Sequence, residues 1–265
     1  MGHFTRRNFL AAMGGLLATA CGRPAAAASD AWVDRRSYGP FQCVAAFPLG
    51  PLDGFFRELS RLEHELQRTL GVPPAGDSVD VYLLADENAH RQFLSERFPR
   101  VPYRRALYVQ RGQHGAVYAY RHEELPIDLR HECTHALLHT NLPTVPLWLD
   151  EGLAEYFEMP ESKRAYEHPH LSPMQLSLRF GKLQPVESLE ARRELGDMGA
   201  AEYRYAWAWV HFMLHGPLPV HRALVEYLAE IRRGEDAGQL SDRLRAATSP
   251  LEDRMMQHFQ YWRES

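Results

Sequence analysis

Residues 130–158 read RHECTHALLHTNLPTVPLWLDEGLAEYFE and hold the side chains best suited to chemistry. His131 and His135 are four apart. On a helix that spacing stacks two side chains on one face, one turn apart, so both imidazoles can meet one ion. Zinc takes nitrogen and oxygen ligands at about 2.0–2.2 Å in a tetrahedron, with one position open where it works catalytically. Glu132 sits one step round from His131. From there it reaches a water in the open position without ligating the ion, and can take its proton. His64-Glu65 begins alike, but Arg68 stands where the second histidine would be, so no site is expected there.

The third ligand has four candidates: His139, Glu151, Glu155 and Glu158. His139 lies about 12 Å along the helix axis from His131, so three rungs of one straight helix cannot share a small ion. At the helix end it suits the helix dipole instead. A zinc pattern with glycine three and histidine six residues past the second histidine also fails, because Leu138 and Asn141 stand there. A carboxylate from the next helix is left. The loop Asn141–Val145 turns the chain back, and Leu147-Trp148-Leu149 gives the second helix, about Pro146–Phe157, an apolar face to pack on the first. Glu151 then falls inward, 16 residues after His135, with Glu155 one turn beyond. One of the two can ligate while the other holds a ligand histidine by its second nitrogen. Glu158 extends the acidic face and is expected to be solvated.

HECTH followed by Leu147-Trp148-Leu149-Asp150-Glu151-Gly152-Leu153-Ala154-Glu155-Tyr156-Phe157 resembles the gluzincin peptidases and, more closely, the small bacterial peptidase-MA-like domains. The motif likeness covers about 125–160, and a diffuse one extends over about 41–264. The gap from His135 to Glu151 is slightly shorter than in the large aminopeptidases, which requires a tight loop. The resemblance implies an α+β, zincin-like fold, one Zn2+ ion, and hydrolysis of peptide bonds by activated water with Glu132 as general base. It implies His131, His135 and Glu151 as ligands and Glu155 as the partner of a ligand histidine. The strand before the HExxH helix, Ala116–Tyr120, would run along the cleft and pair with substrate backbone. Tyr203, leading the stretch AEYRYAWAWVHFM, matches the tyrosine that hydrogen-bonds the oxyanion. Tyr205 is two positions on and would face elsewhere, while Trp207 and Trp209 read as core. His211 and His215 form a second i,i+4 pair, but no carboxylate pattern supports a second metal. His168-Pro169-His170 reads as exposed loop.

The elements that must position these residues are legible in outline. Residues 29–40 read as a linker. Phe41–Phe47 and Val79–Leu84 read as strands, and Leu52–Leu70 and Glu87–Phe98 as helices. Arg105–Gln110 and Ala116–Tyr120 alternate around Gly112–Gly115 as a hairpin. An N-terminal mixed sheet with helices, 41–125, is therefore expected. Pro126 opens the active-site helix, which links this lobe to a mainly helical one over 126–265. Further helical patterns lie near 173–180, 200–215, 218–232 and 249–263. The stretch 160–200 is expected to border the cleft.

Bulk properties exclude some functions. The chain has 265 residues, 45% of them hydrophobic and 24% charged, ordinary values for a folded domain. A net charge of −4 gives no field suited to nucleic acid. The first 28 residues stand apart. Arg6-Arg7 precede the apolar run Leu10–Ala20, which is too short to span a bilayer, and the pattern resembles a twin-arginine export signal. Leu17–Gly22 resembles a lipobox that would lipidate Cys21 and anchor the chain to a membrane surface, while Ala25–Ala28 offers ordinary cleavage. Export to a bacterial cell envelope is expected either way. Cys43 and Cys133 are the other two cysteines, too few for a disulfide framework. On sequence, a non-catalytic metal-binding envelope protein and a zinc amidase acting on cell-wall peptide stay open beside the peptidase.

Overall fold

A computed structural model describes residues 32–112 and 114–263. The expected export signal over 1–28, with Cys21, lies outside them. Five strands form one sheet: β1 (Asp34–Tyr38), β2 (Phe41–Ala45), β3 (Val79–Leu84), β4 (Ala106–Arg111) and β5 (His114–Tyr120). Their order is β1-β2-β3-β5-β4. The three central strands are parallel, and each outer strand pairs antiparallel with its neighbour. Twelve α-helices are described: α1 (Asp53–Leu59), α2 (Leu62–Leu70), α3 (Glu87–Arg97), α4 (Leu125–His139), α5 (Leu147–Phe157), α6 (Glu161–Arg164), α7 (Leu171–Arg179), α8 (Val186–Glu190), α9 (Ala200–His215), α10 (Leu218–Arg233), α11 (Leu240–Ala247) and α12 (Leu251–Tyr261).

Alternation explains how the sheet seats α4. Phe41, Cys43, Ala45, Val79, Val81, Leu83, Val117 and Ala119 are all buried, as period-two side chains on a covered face must be. Leu129, Cys133, Ala136 and Leu137 of α4 are buried as well, and that helix lies on β3, β4 and β5. On the other face Tyr82 stacks on Tyr118 with ring centres 5.2 Å apart, and α3 brings Phe93 against the same tyrosine. Every strand among the described residues precedes Arg121, so the α+β division into a sheet-bearing first half and a helical second half holds. No described helix is long and apolar enough to cross a membrane.

Three expectations need correction. The segment read as linker contains β1. Its residues, DRRSY, are polar because it is a half-exposed edge strand, so no apolar alternation betrays it. It is held by Arg36, which bonds Asp53 at 2.8 Å, and by Tyr38, whose hydroxyl donates to Asp53. The single helix expected over 52–70 is two, because the Arg61 N–H bonds Glu58 at 3.0 Å and tightens the chain at that turn. The hairpin turn is also shorter than expected. Arg111 pairs with His114, and Gly112 takes φ +61°, a conformation glycine adopts without steric cost.

The helical half is built on α5 and α9. Trp148, Phe157, Trp207, Trp209 and Phe212 are wholly or almost wholly buried along them. The two helices cross so closely that a Cβ on Gly152 would stand 2.7 Å from the Ala206 carbonyl oxygen. Two buried arginines tie the halves together. Arg130 donates to Glu58 at 2.8 Å and Arg164 to Glu65 at 2.8 Å.

Candidate metal centre

Helix α4 presents His131 and His135 one turn apart, and α5 packs beside it so that Glu151 faces them. His131 Nε2 lies 3.3 Å from His135 Nε2. Glu151 Oε2 is 3.7 Å from the first and 4.0 Å from the second. Three donors on an ion about 2.1 Å away, at tetrahedral angles, would stand about 3.4 Å apart. The observed triangle is close to that, and these three residues can hold one metal ion.

Two further groups of histidines and carboxylates crowd the same helices: His135, His139 and Asp150, and His131, Glu155 and Glu158. Three of their contacts are shorter. Asp150 Oδ2 lies 3.0 Å from His135 Nδ1 and 3.0 Å from His139 Nε2. Glu158 Oε2 lies 3.1 Å from His131 Nδ1. These are hydrogen-bonding distances, shorter than the spacing of ligands round an ion. Glu158 thus hydrogen-bonds the second nitrogen of His131, the arrangement that fixes ring orientation and tautomer in metal sites, whereas Asp150 lies at ion-pair distance from that of His135 without hydrogen-bond geometry and hydrogen-bonds His139.

That partnership corrects three expectations. Glu155 does not hold a ligand histidine. It accepts from His170 at 2.8 Å, and although burial opposes its charge, His170 keeps its carboxyl well below the usual range. Glu158 is buried, at 6% exposure, and not solvated. His168-Pro169-His170 is a turn in which Pro169 is exposed but neither histidine is. His168 is buried, bonds the Glu155 carbonyl at 2.9 Å and stacks on Trp207. Among the described residues no group that could hold an ion brings His139 together with His131.

Glu132 is held from the sheet. Its Oε2 accepts a 2.7 Å hydrogen bond from the backbone N–H of Tyr108 on β4. The Tyr108 ring also lies parallel to His139, 5.9 Å between centres. The strand beside the site is thus β4. Strand β5, expected to pair with substrate, is interior, flanked by β3 and β4. An interior strand has no free backbone groups for a peptide, whereas β4 is an edge.

Tyr203 is buried at the start of α9, and Tyr205 donates to the Lys182 carbonyl at 2.5 Å. Burial and the carboxylates of Glu151, Glu155 and Glu132 hold the Tyr203 phenol well above its usual pKa, against an opposing effect of Arg104. It stays protonated and can donate. Burial also opposes charge on His131 and His135, but Glu151 and Glu158 for the first, and Asp150 for the second, favour the protonated rings. Cys43 and Cys133 are free and buried, with thiols pushed up by burial, Cys43 to about 12. Neither belongs to a group among the described residues that could hold a metal ion. His211 and His215 make hydrogen bonds to His258 and Tyr156 at 3.0 Å and 2.6 Å.

Sequence reading missed Asp150, Tyr108 and His170. Asp150 carried a signal, as a carboxylate one residue before the expected ligand. The other two lie in segments with no motif. Neither the protein-family models nor the curated proteins searched give a match to this chain.

Proposed function

We propose that the chain is an exported zinc metallopeptidase of gluzincin type. The observation that carries this is the convergence of His131, His135 and Glu151 at near-tetrahedral ligand spacing, with Glu132 fixed beside them by the edge strand. The donor set suits zinc, since two imidazoles and one carboxylate leave a fourth position open. When bound, zinc supplies a Lewis acid that polarises the scissile carbonyl and lowers the pKa of a water.

The protein's own groups do the rest. Glu132 uses the carboxylate oxygen not committed to Tyr108 to take the proton from the attacking water, then returns it to the leaving nitrogen. Tyr203 donates a hydrogen bond to the oxygen that gains charge as the carbonyl is attacked. The free edge of β4 pairs with an extended peptide backbone, which sets its register over Glu132. The substrate is a peptide or protein in the cell envelope, and lipidation of Cys21 would hold the enzyme at a membrane surface.

The test is to load the purified chain with zinc and compare wild type with Glu132→Gln on unfolded protein. The variant should keep one zinc per chain and lose at least about 1,000-fold in rate, the scale of a lost general base. Equal cleavage by both would reject the assignment. Stoichiometric zinc without any cleavage would favour a binding protein. Release from purified peptidoglycan but not from protein would favour an amidase.

A further inference from the structure

Asp150 is buried in the first turn of α5. Its Oδ2 lies 3.0 Å from Nδ1 of His135, but the two groups are not aligned for a hydrogen bond. Both His135 Nδ1 and Asp150 Oδ1 are buried without a hydrogen-bond partner. Among the described residues the side chain that does hydrogen-bond Asp150 is His139, whose Nε2 lies 3.0 Å from the same Oδ2. A buried carboxylate is costly unless it is hydrogen-bonded. His139 is therefore the group that fixes Asp150 where it stands.

His139 is itself held from the edge strand. Its backbone carbonyl accepts from Gln110 Nε2 on β4 at 3.3 Å. Its ring lies nearly parallel to that of Tyr108, 5.9 Å between centres, and to that of His135, 6.4 Å. The Tyr108 ring has little room to shift toward β5, where a Cβ on Gly115 would stand 3.0 Å from it. The pair also joins two helix ends. His139 is in the last turn of α4 and Asp150 in the first turn of α5, and each is at the end whose dipole favours its charge.

We propose that His139 is a positioning residue of the metal centre. It sets the Asp150 carboxylate beside His135 Nδ1 and so steadies the ring whose Nε2 faces His131 and Glu151. A ligand histidine with Nε2 toward an ion carries its proton on Nδ1, and a carboxylate kept at that nitrogen fixes the ring's orientation. The inference deepens the metal-centre reading and rests on it.

Competition with a chelator gives the zinc affinity of the full chain, of His139→Ala, His139→Gln, Asp150→Ala and of the double variant His139→Ala with Asp150→Ala. His139→Ala should lose about tenfold, the lower end of the range for outer partners of a metal ligand. His139→Gln, whose amide donates from nearly the same place, should recover most of that. In the Asp150→Ala background His139→Ala should cost nothing further, because a residue acting through Asp150 has nothing left to act on. Wild-type affinity in His139→Ala, no recovery in His139→Gln, or an undiminished loss in the double variant would overturn the proposal. Should Asp150→Ala fail to fold, the comparison of His139→Ala with His139→Gln still decides. Glu151→Gln reports on the centre itself. A wild type that binds no zinc, or binds it regardless of Glu151→Gln, overturns the centre and the role of His139 with it. Zinc that requires Glu151 but not His139 overturns the role of His139 alone.

Discussion

The backbone N–H of Tyr108 donates a 2.7 Å hydrogen bond to Oε2 of Glu132. An edge strand thereby orients the proposed general base by a backbone group that every substitution but one leaves in place. Proline removes it. This N–H points off the sheet, where proline in an edge strand is tolerated. Tyr108→Pro should lower kcat by about 10-fold to 100-fold, as expected for a lost hydrogen bond to a charged group, with zinc content unchanged. Tyr108→Ala, which keeps the N–H, should retain most of the rate. If both variants behave alike in steady-state assays, the hydrogen bond has no role in positioning Glu132.

The carboxylates nearest the second nitrogens of the proposed ligand histidines are Asp150 and Glu158. Asp150→Asn and Glu158→Gln should each weaken zinc binding by about 10-fold to 100-fold, the usual cost of losing such a partner. Glu155→Gln should weaken it less, since Glu155 is paired with His170. Competition with a zinc chelator ranks the three. A larger loss for Glu155→Gln would restore the role the sequence suggested for it.

Gly152 lets α9 approach α5, and Tyr203 stands one turn before the contact at Ala206. Gly152→Ala puts a methyl 2.7 Å from a carbonyl oxygen, which the backbone relieves only by moving. Chemical denaturation should show a loss of about 1–3 kcal/mol, typical of overpacking. Tyr203→Phe, by contrast, should leave stability within about 0.5 kcal/mol and lower kcat about 100-fold, as for a lost oxyanion donor. Unchanged kcat in Tyr203→Phe would remove the phenol from the mechanism.

Acid should destabilise the helical half. Burial, reinforced by neighbouring positive or ionisable groups, lowers the pKa of His215 and His258 to about 4, and that of His211 well below its usual value. In the unfolded chain these rings titrate near about 6.5. Below that pH the unfolded state binds more protons, so stability is full above about 6.5 and falls as pH drops toward 4. The slope is at most about 1.4 kcal/mol per pH unit for each histidine. Urea denaturation of the metal-free chain from pH 7.5 to 4.5 should show this loss, and His258→Gln should flatten it. An identical slope in the variant would place the acid sensitivity elsewhere.

Much of this was legible in the sequence because it is local. The rise of a helix excludes His139 from the ion of His131, and the loop Asn141–Val145 brings Glu151 back to α4 without knowledge of the tertiary fold. Glycine after Glu151 read only as part of a motif, and its meaning came from Ala206, more than 50 residues away. Strand order was illegible: β4 and β5 alternate similarly, and only the parallel pairing of β3 with β5 makes β4 the edge. Glu158 and Glu155 share a helix face, so their division between His131 and His170 depends on where the segment carrying His170 folds back. The polar strand β1 gave no periodic signal, because its role is to cover an edge.

Diffraction data collected at and below the zinc absorption edge on crystals of the zinc-loaded chain test the central claim most directly. The claim predicts one anomalous peak within about 2.0–2.2 Å of His131 Nε2, His135 Nε2 and a Glu151 oxygen. Glu155 and Glu158 would remain outside the coordination sphere. A peak held by Glu155 and Glu158, or no peak between α4 and α5, would contradict it.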